Sequence, residues 1–216
     1  MCRPLGWEQL WGECVVETLS VIAAVAMAIG TGALLLLHML PTGYNPIRDA
    51  VSDYAIGRYR ALFWTFATAG AVSGLALALA LARSHPSKPT LTVAMLLLSA
   101  AARVLVPFFP TDQSGSRFQT PKGTIHMVLA IAIFASVAVA ASNLGGTLGH
   151  EPAWHSVKGL VDGWLPWVIT ATATATGLAI IGPRLKRIFG LIERLYYVSS
   201  ITWFFVVSVE LARIGH

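Results

Sequence analysis

Charge is scarce in this sequence. Only 12% of its 216 residues are Asp, Glu, Lys or Arg, while 56% are hydrophobic, a balance too poor in charge for a soluble surface and suited to a bilayer. Cysteine is nearly absent. Cys2 and Cys14 have no CxxC spacing and no further partners, which argues against a structural zinc site or a disulfide framework and leaves two free thiols. A GxSxG elbow, an HExxH pair and a haem-type ladder of histidines are also missing, so none of those arrangements applies. No basic stripe with interleaved aromatics is present. The formal net charge of +5 is therefore read as membrane topology and attraction to anionic headgroups, with no role in binding nucleic acid.

Long apolar runs take the place of what is missing. They fall at about 15–40, 61–82, 91–109, 124–141, 164–181 and 195–211, and roughly 20 helical residues cross a hydrocarbon layer of about 30 Å. The expected fold class is all-α: one polytopic bundle of six transmembrane helices over residues 1–216. The first fourteen residues hold one Arg against two Glu, and the run behind them exceeds the core of a signal peptide, so it is expected to remain as a span. Trp7 and Trp11 suit a short interfacial turn ahead of it, and Trp154 suits the interface at the other end of the chain. In the fifth run, Thr170, Thr174 and Gly177 share a helical face fit for close packing, as do Gly70 and Gly74 in the second.

Six spans put both termini on one side. Arg3, Arg83, Lys88, Lys158 and Arg213 lie there, against nine Lys and Arg in the opposite loops, which places those loops in the cytoplasm of a cell-membrane protein. The same loops carry most of the polar chemistry. PTGYNPIRDAVSDYAIG runs from Pro41 to Gly57, and VPFFPTDQSGSRFQTPKGTIHM runs from Val106 to Met127 behind a span containing Arg103.

Intramembrane ionisable groups are functional candidates. Asp53, Asp112 and His126 are the candidate acid–base residues; Arg48, Ser52, Tyr44, Tyr54 and Arg103 are the candidate substrate-binding residues. No metal is assigned. His38, Asp53, Asp112 and His126 would offer the nitrogen and oxygen ligands that zinc accepts. Each residue also has a structural use: Arg103 paired with Asp53, Asp49 or Asp112, Thr124 capping the fourth helix, His38 as an interfacial histidine, and Glu193 with Arg194 anchoring the last span. Glu210 is expected to face the interface and pair with Arg213 at i, i+3.

The ordered set YNPIRDAVSDYAIG, FFPTD and GTIHM, with GLIERL before the last span, resembles the bacterial membrane family known as domain of unknown function 998. The resemblance covers most of the chain and implies a compact helical membrane domain with its polar motifs at one end. It supplies no activity and no cofactor. The residues themselves point to membrane lipids as partners and to an enzyme acting on a lipid or isoprenoid, as a hydrolase or an acid-initiated cyclase. For a cyclase, Tyr44, Tyr54, Trp64, Phe108 and Phe109 would stabilise cations. The alternatives are a non-catalytic lipid-binding or accessory subunit and a small transporter. The spans hold almost no charge at mid-depth and show no inverted repeat, which counts against transport.

Overall fold

The computed structural model describes residues 7–84, 89–112, 120–148 and 151–214. Among them every regular element is helical. In hydrocarbon a helix satisfies its own backbone, so long apolar runs have no cheaper conformation. The helices are α1 (Trp7–Met39), α2 (Arg60–Ser84), α3 (Thr90–Leu105), α4 (Pro121–Leu148), α5 (Leu165–Ile181), the single turn α6 (Pro183–Lys186) and α7 (Phe189–Ile214). Five of these, all but α5 and α6, are long and apolar enough to cross a membrane. α5 has 17 residues and continues from a π-helical turn at Gly159–Trp164, so it reaches a length comparable to its neighbours.

The expected boundaries shift for physical reasons. α3 stops at Leu105 because Pro107 has no N–H, and a 3-10 turn, Val106–Phe108, finishes the segment. α4 runs to Leu148 and α7 begins at Phe189, well beyond their apolar stretches, since Asn143, Glu193 and Arg194 stay helical where a reading by hydropathy ends the span. The turn expected at Trp7 and Trp11 is the start of α1 itself. Cys14 is a free, exposed thiol.

Each long helix packs on the next. α1 meets α2, α2 meets α3, α3 meets α4, α4 meets α5, α5 meets α7 and α7 returns to α1. The six long helices close a ring. Leu37, Leu77, Leu96, Leu144, Tyr196 and Trp203 are fully buried, and Ser73 ties α2 to α1 through a 2.8 Å bond to the Ala23 carbonyl.

The alternating helix directions bring residues 40–59, 109–112, 120 and 182–188 to one end, here the mouth end, with the chain termini at the other. At the terminal end Trp154 is fully buried and does not lie in the interface, because the 3-10 turn Pro152–Trp154 folds over the bundle. Ser156 donates to Glu210 at 3.0 Å and Arg213 reaches the same carboxylate at 3.4 Å. The expected i, i+3 pair therefore forms, with Glu210 buried instead of facing outward. Among the described residues Trp164 and Trp167 are exposed at this end, in the position of an interfacial belt. Replacing Trp154 with Ala should destabilise the bundle by about 3 kcal/mol, measured by unfolding in mixed micelles. An unchanged midpoint would remove Trp154 from the core.

Candidate functional site: a cavity beneath a polar mouth

The segment from 40 to 59 holds only one short 3-10 turn, Val51–Ala55, so its backbone groups need partners at the end of an apolar bundle. Asn45 Oδ1 accepts the Ile47 and Arg48 amides at 2.9 and 3.3 Å, and Asp49 Oδ2 accepts the Asn45 amide at 2.6 Å. Asp53 Oδ2 accepts the Ala50 amide at 3.1 Å. α7 supplies the remaining partners. The Val51 amide donates to Glu193 at 2.6 Å. Arg194 donates from Nη1 to the carbonyls of Asp49 and Gly190, both at 2.9 Å, from Nη2 to the Tyr54 hydroxyl at 3.2 Å, and from Nε to His38 Nε2 at 2.7 Å.

Gly190 explains why this contact can be so close. A Cβ there would run into the Asp49 carbonyl and come within 2.8 Å of the Pro46 carbonyl. His38 Nδ1 lies 2.7 Å from the Leu34 carbonyl, so that nitrogen carries the proton and Nε2 accepts from Arg194. Both ring nitrogens are committed to this clasp. Tyr44 stands beside it, edge-on to Tyr54 at 5.5 Å. Partial burial raises the Tyr44 phenol above its ordinary pKa, and the Asp53 and Asp49 carboxylates raise it further, which keeps its hydroxyl a donor.

Across the mouth, the cap of α4 is Thr120 in place of the expected Thr124. Thr120 Oγ1 accepts the Gly123 amide at 3.0 Å and donates to Asp112 Oδ1 at 2.7 Å, while the Thr120 amide donates to Asp112 Oδ2 at 2.9 Å. Thr124 instead bonds back to the Thr120 carbonyl at 3.1 Å. One turn further in, His126 is buried, and its Nδ1 lies 2.7 Å from the Phe109 carbonyl. This leaves Nε2 as the nitrogen with the free lone pair. Ser114 and Arg117 lie outside the described residues.

Below the mouth is a cavity of about 770 Å³, the size of a small-molecule site. Asp53, Asp112, His126, Arg48, Ser52 and Arg103 all line it. Tyr44 and Tyr54 belong to the clasp and do not. Trp64 and Phe108 pair edge-on at 5.4 Å on the outer surface. The aromatic wall is made instead by residues that sequence reasoning left out: Phe66, Phe134 and Tyr197, with Phe66 and Tyr197 at 5.1 Å and Phe134 and Tyr197 at 5.7 Å. Glu193 also lines the cavity and is buried. Its signal in the sequence was a carboxylate within the first two turns of a long apolar helix.

The cavity opens sideways. Ile131, Ala135 and Val139 on α4 and Thr170, Thr174 and Gly177 on α5 are exposed and line it, so a slot runs between the two helices on the mouth side of Thr170. Towards the terminal end Ser142 and Thr170 join them at 3.3 Å. The Thr and Gly face expected to pack therefore forms one side of a slot. The Thr174 hydroxyl is satisfied by its own helix, donating to the Thr170 carbonyl at 2.8 Å.

Arg103 sits in the last turn of α3, 5% exposed. Among the described residues no ion pair joins it to Asp49, Asp53 or Asp112, and its Nε is buried without a hydrogen-bond partner. Its guanidinium carbon lies 5.9 Å from the centre of the Phe66 ring. Gly70 gives it room, since a Cβ there would stand 2.7 Å from Nη1. Gly70 thus seats a side chain, while Gly74 faces the Leu96 backbone at 3.6 Å. Among the described residues no group of three or more His, Cys, Asp or Glu is arranged to hold a metal ion.

If the clasp holds the mouth segment, Gly190→Ala and Arg194→Ala should each cost about 3 kcal/mol in unfolding free energy. Glu193→Gln, which keeps an acceptor for the Val51 amide, should cost much less than Glu193→Leu. Equal losses in the two Glu193 variants would contradict the role assigned to that hydrogen bond.

A family model described as "Protein of unknown function (DUF998)" matches residues 21–210. No curated protein and no solved structure matches the chain.

Proposed function

The chain belongs to the DUF998 family of proteins of unknown function, and from the geometry of its cavity we propose that it takes a lipid or isoprenoid from the bilayer and acts on it by acid–base chemistry. The observation that carries this reading is the slot between α4 and α5, which joins the cavity to the hydrocarbon while Asp53, Asp112 and His126 stand towards its mouth. A soluble substrate has no use for a lateral entrance. An amphiphile can bring its head group under the polar mouth and leave its chain among the lipid tails.

His126 Nε2 has the lone pair needed to take a proton, and the Asp53 and Asp112 carboxylates are its acid–base partners. Arg48, Ser52 and Arg103 are the substrate-binding residues. Hydrolysis fits the cavity better than acid-initiated cyclisation, because the aromatic wall already holds the positive charge of Arg103, which disfavours a carbocation beside it. The nine Lys and Arg in the mouth-side loops, against five at the terminal end, support a cytoplasmic mouth in the cell membrane.

A second reading, a non-catalytic lipid-binding or accessory subunit, draws support from the carboxylates. Asp53 accepts the Ala50 amide and Asp112 accepts both Thr120 donors, which are structural duties.

Native mass spectrometry of the gently purified protein addresses binding. The wild type should carry a lipid adduct, and Ala135→Trp, which fills the slot from an exposed position, should lose it at an unchanged unfolding midpoint. An adduct that survives Ala135→Trp contradicts lateral entry. Catalysis is read separately, from the lipid profile of membranes holding wild type, Asp53→Asn or His126→Ala. A lipid species that depends on both residues marks an enzyme; one profile for all three, with the adduct retained, marks the non-catalytic subunit.

A further inference from the structure

Resting on the reading of the cavity as an amphiphile site, we infer that Arg103 binds the oxyanion of the amphiphile's head group. An Arg that is 5% exposed, with its Nε unbonded and no carboxylate partner among the described residues, is a costly thing to leave in a membrane protein. Its charge is balanced most directly by an anion that arrives with the ligand. Three features of the seat agree with this. Gly70 lies ten residues into α2, ~15 Å along the helix axis, so the guanidinium waits well inside the bundle at a depth a head group reaches through the slot. The Phe66 ring centre lies 5.9 Å from the guanidinium carbon, and Nε has no hydrogen-bond partner, so the guanidinium keeps a donor for an oxyanion. Gly70 itself is the residue that lets the side chain lie along α2.

Arg48 and Lys186 line the same cavity from exposed positions at the mouth, and Asp49, Asp53, Asp112 and Glu193 line it too. The Asp53, Asp112 and Glu193 carboxylates each accept a hydrogen bond from backbone nearby. A phosphate monoester is one head group that a guanidinium fork binds in bidentate fashion. Its chain leaves between α4 and α5.

The test uses the delipidated protein in dodecyl maltoside, with unfolding midpoints measured in farnesyl monophosphate, farnesol or inorganic phosphate at equal concentrations. For the wild type, farnesyl monophosphate should stabilise more than farnesol, and inorganic phosphate should have no effect. Arg103→Met should weaken farnesyl monophosphate binding by about 30-fold or more and leave farnesol binding unchanged. Gly70→Ala, which displaces the guanidinium, should do the same to a lesser degree. Without ligand, Arg103→Met should unfold at the same midpoint as wild type or higher, since it removes an unpaired buried charge.

A fall of several degrees in ligand-free Arg103→Met, or failure of that variant to fold, would make Arg103 a structural residue and overturn the inference. Equal stabilisation by farnesol and farnesyl monophosphate, kept in Arg103→Met, would overturn the oxyanion site and leave the amphiphile cavity standing. Stabilisation by inorganic phosphate equal to that by farnesyl monophosphate would mean a site for a soluble anion, and would overturn the amphiphile. No stabilisation by any of the three overturns both readings.

Discussion

A stretch of irregular backbone at the end of a membrane bundle has to find partners for its amides and carbonyls, and two adjacent residues of α7 provide them. Glu193 accepts the Val51 amide and Arg194 donates to the Asp49 carbonyl. Burial makes both bonds matter, because an orphaned backbone group there costs as much as a lost hydrogen bond. The rest of the mouth depends on this pair. It fixes the turn Val51–Ala55, which holds Asp53 over the cavity, and it ties α7 to the end of α1 through His38. Gly190 is the steric counterpart of the same contact. The conflict between a clasp and a site that the first loop poses is thus resolved by division of labour: Tyr44, Tyr54 and His38 hold, while Arg48, Ser52 and Asp53 face the cavity.

Arg103 answers to the opposite constraint. Where the clasp gives Glu193, Arg194 and His38 their partners, the third helix carries a cation into the bundle and leaves its Nε without a partner. Polar groups are kept unsatisfied in proteins chiefly where something else completes them. The aromatic wall of Phe66, Phe134 and Tyr197 and the slot between α4 and α5 then describe one compartment, polar at the mouth, charged at one side and open between two helices at another. Its shape is compatible with binding, with chemistry on what is bound, or with both in sequence.

Much of this was written in the sequence. The helices were legible because hydrocarbon thickness sets the length of an apolar run, and Asp53, Asp112, His126 and Arg103 stood out because charge is rare in such runs. Their convergence followed from counting spans. The order of packing around the ring was not legible, since lipid-facing and core-facing apolar residues look alike in a sequence. Thr170, Thr174 and Gly177 show the cost of that ambiguity: small residues on one helical face suit a tight contact and a slot equally well. Glu193 and Arg194 were visible as a charged pair but not as the partners of the first loop, because a hydrogen bond to backbone leaves no trace in residue type. Trp154 was misplaced for a related reason, as a tryptophan in a Gly-rich loop resembles a belt residue until the loop is seen to fold inward.

A cavity that takes lipid through its slot and reaches Arg103 is tested most directly by an experimental map of the protein in a lipid nanodisc. It should show elongated non-protein density passing between α4 and α5 near Ala135 and Thr174, with its head at the guanidinium of Arg103. Helices α4 and α5 in contact along their whole length, with a closed cavity and Arg103 paired to a protein carboxylate, would contradict it.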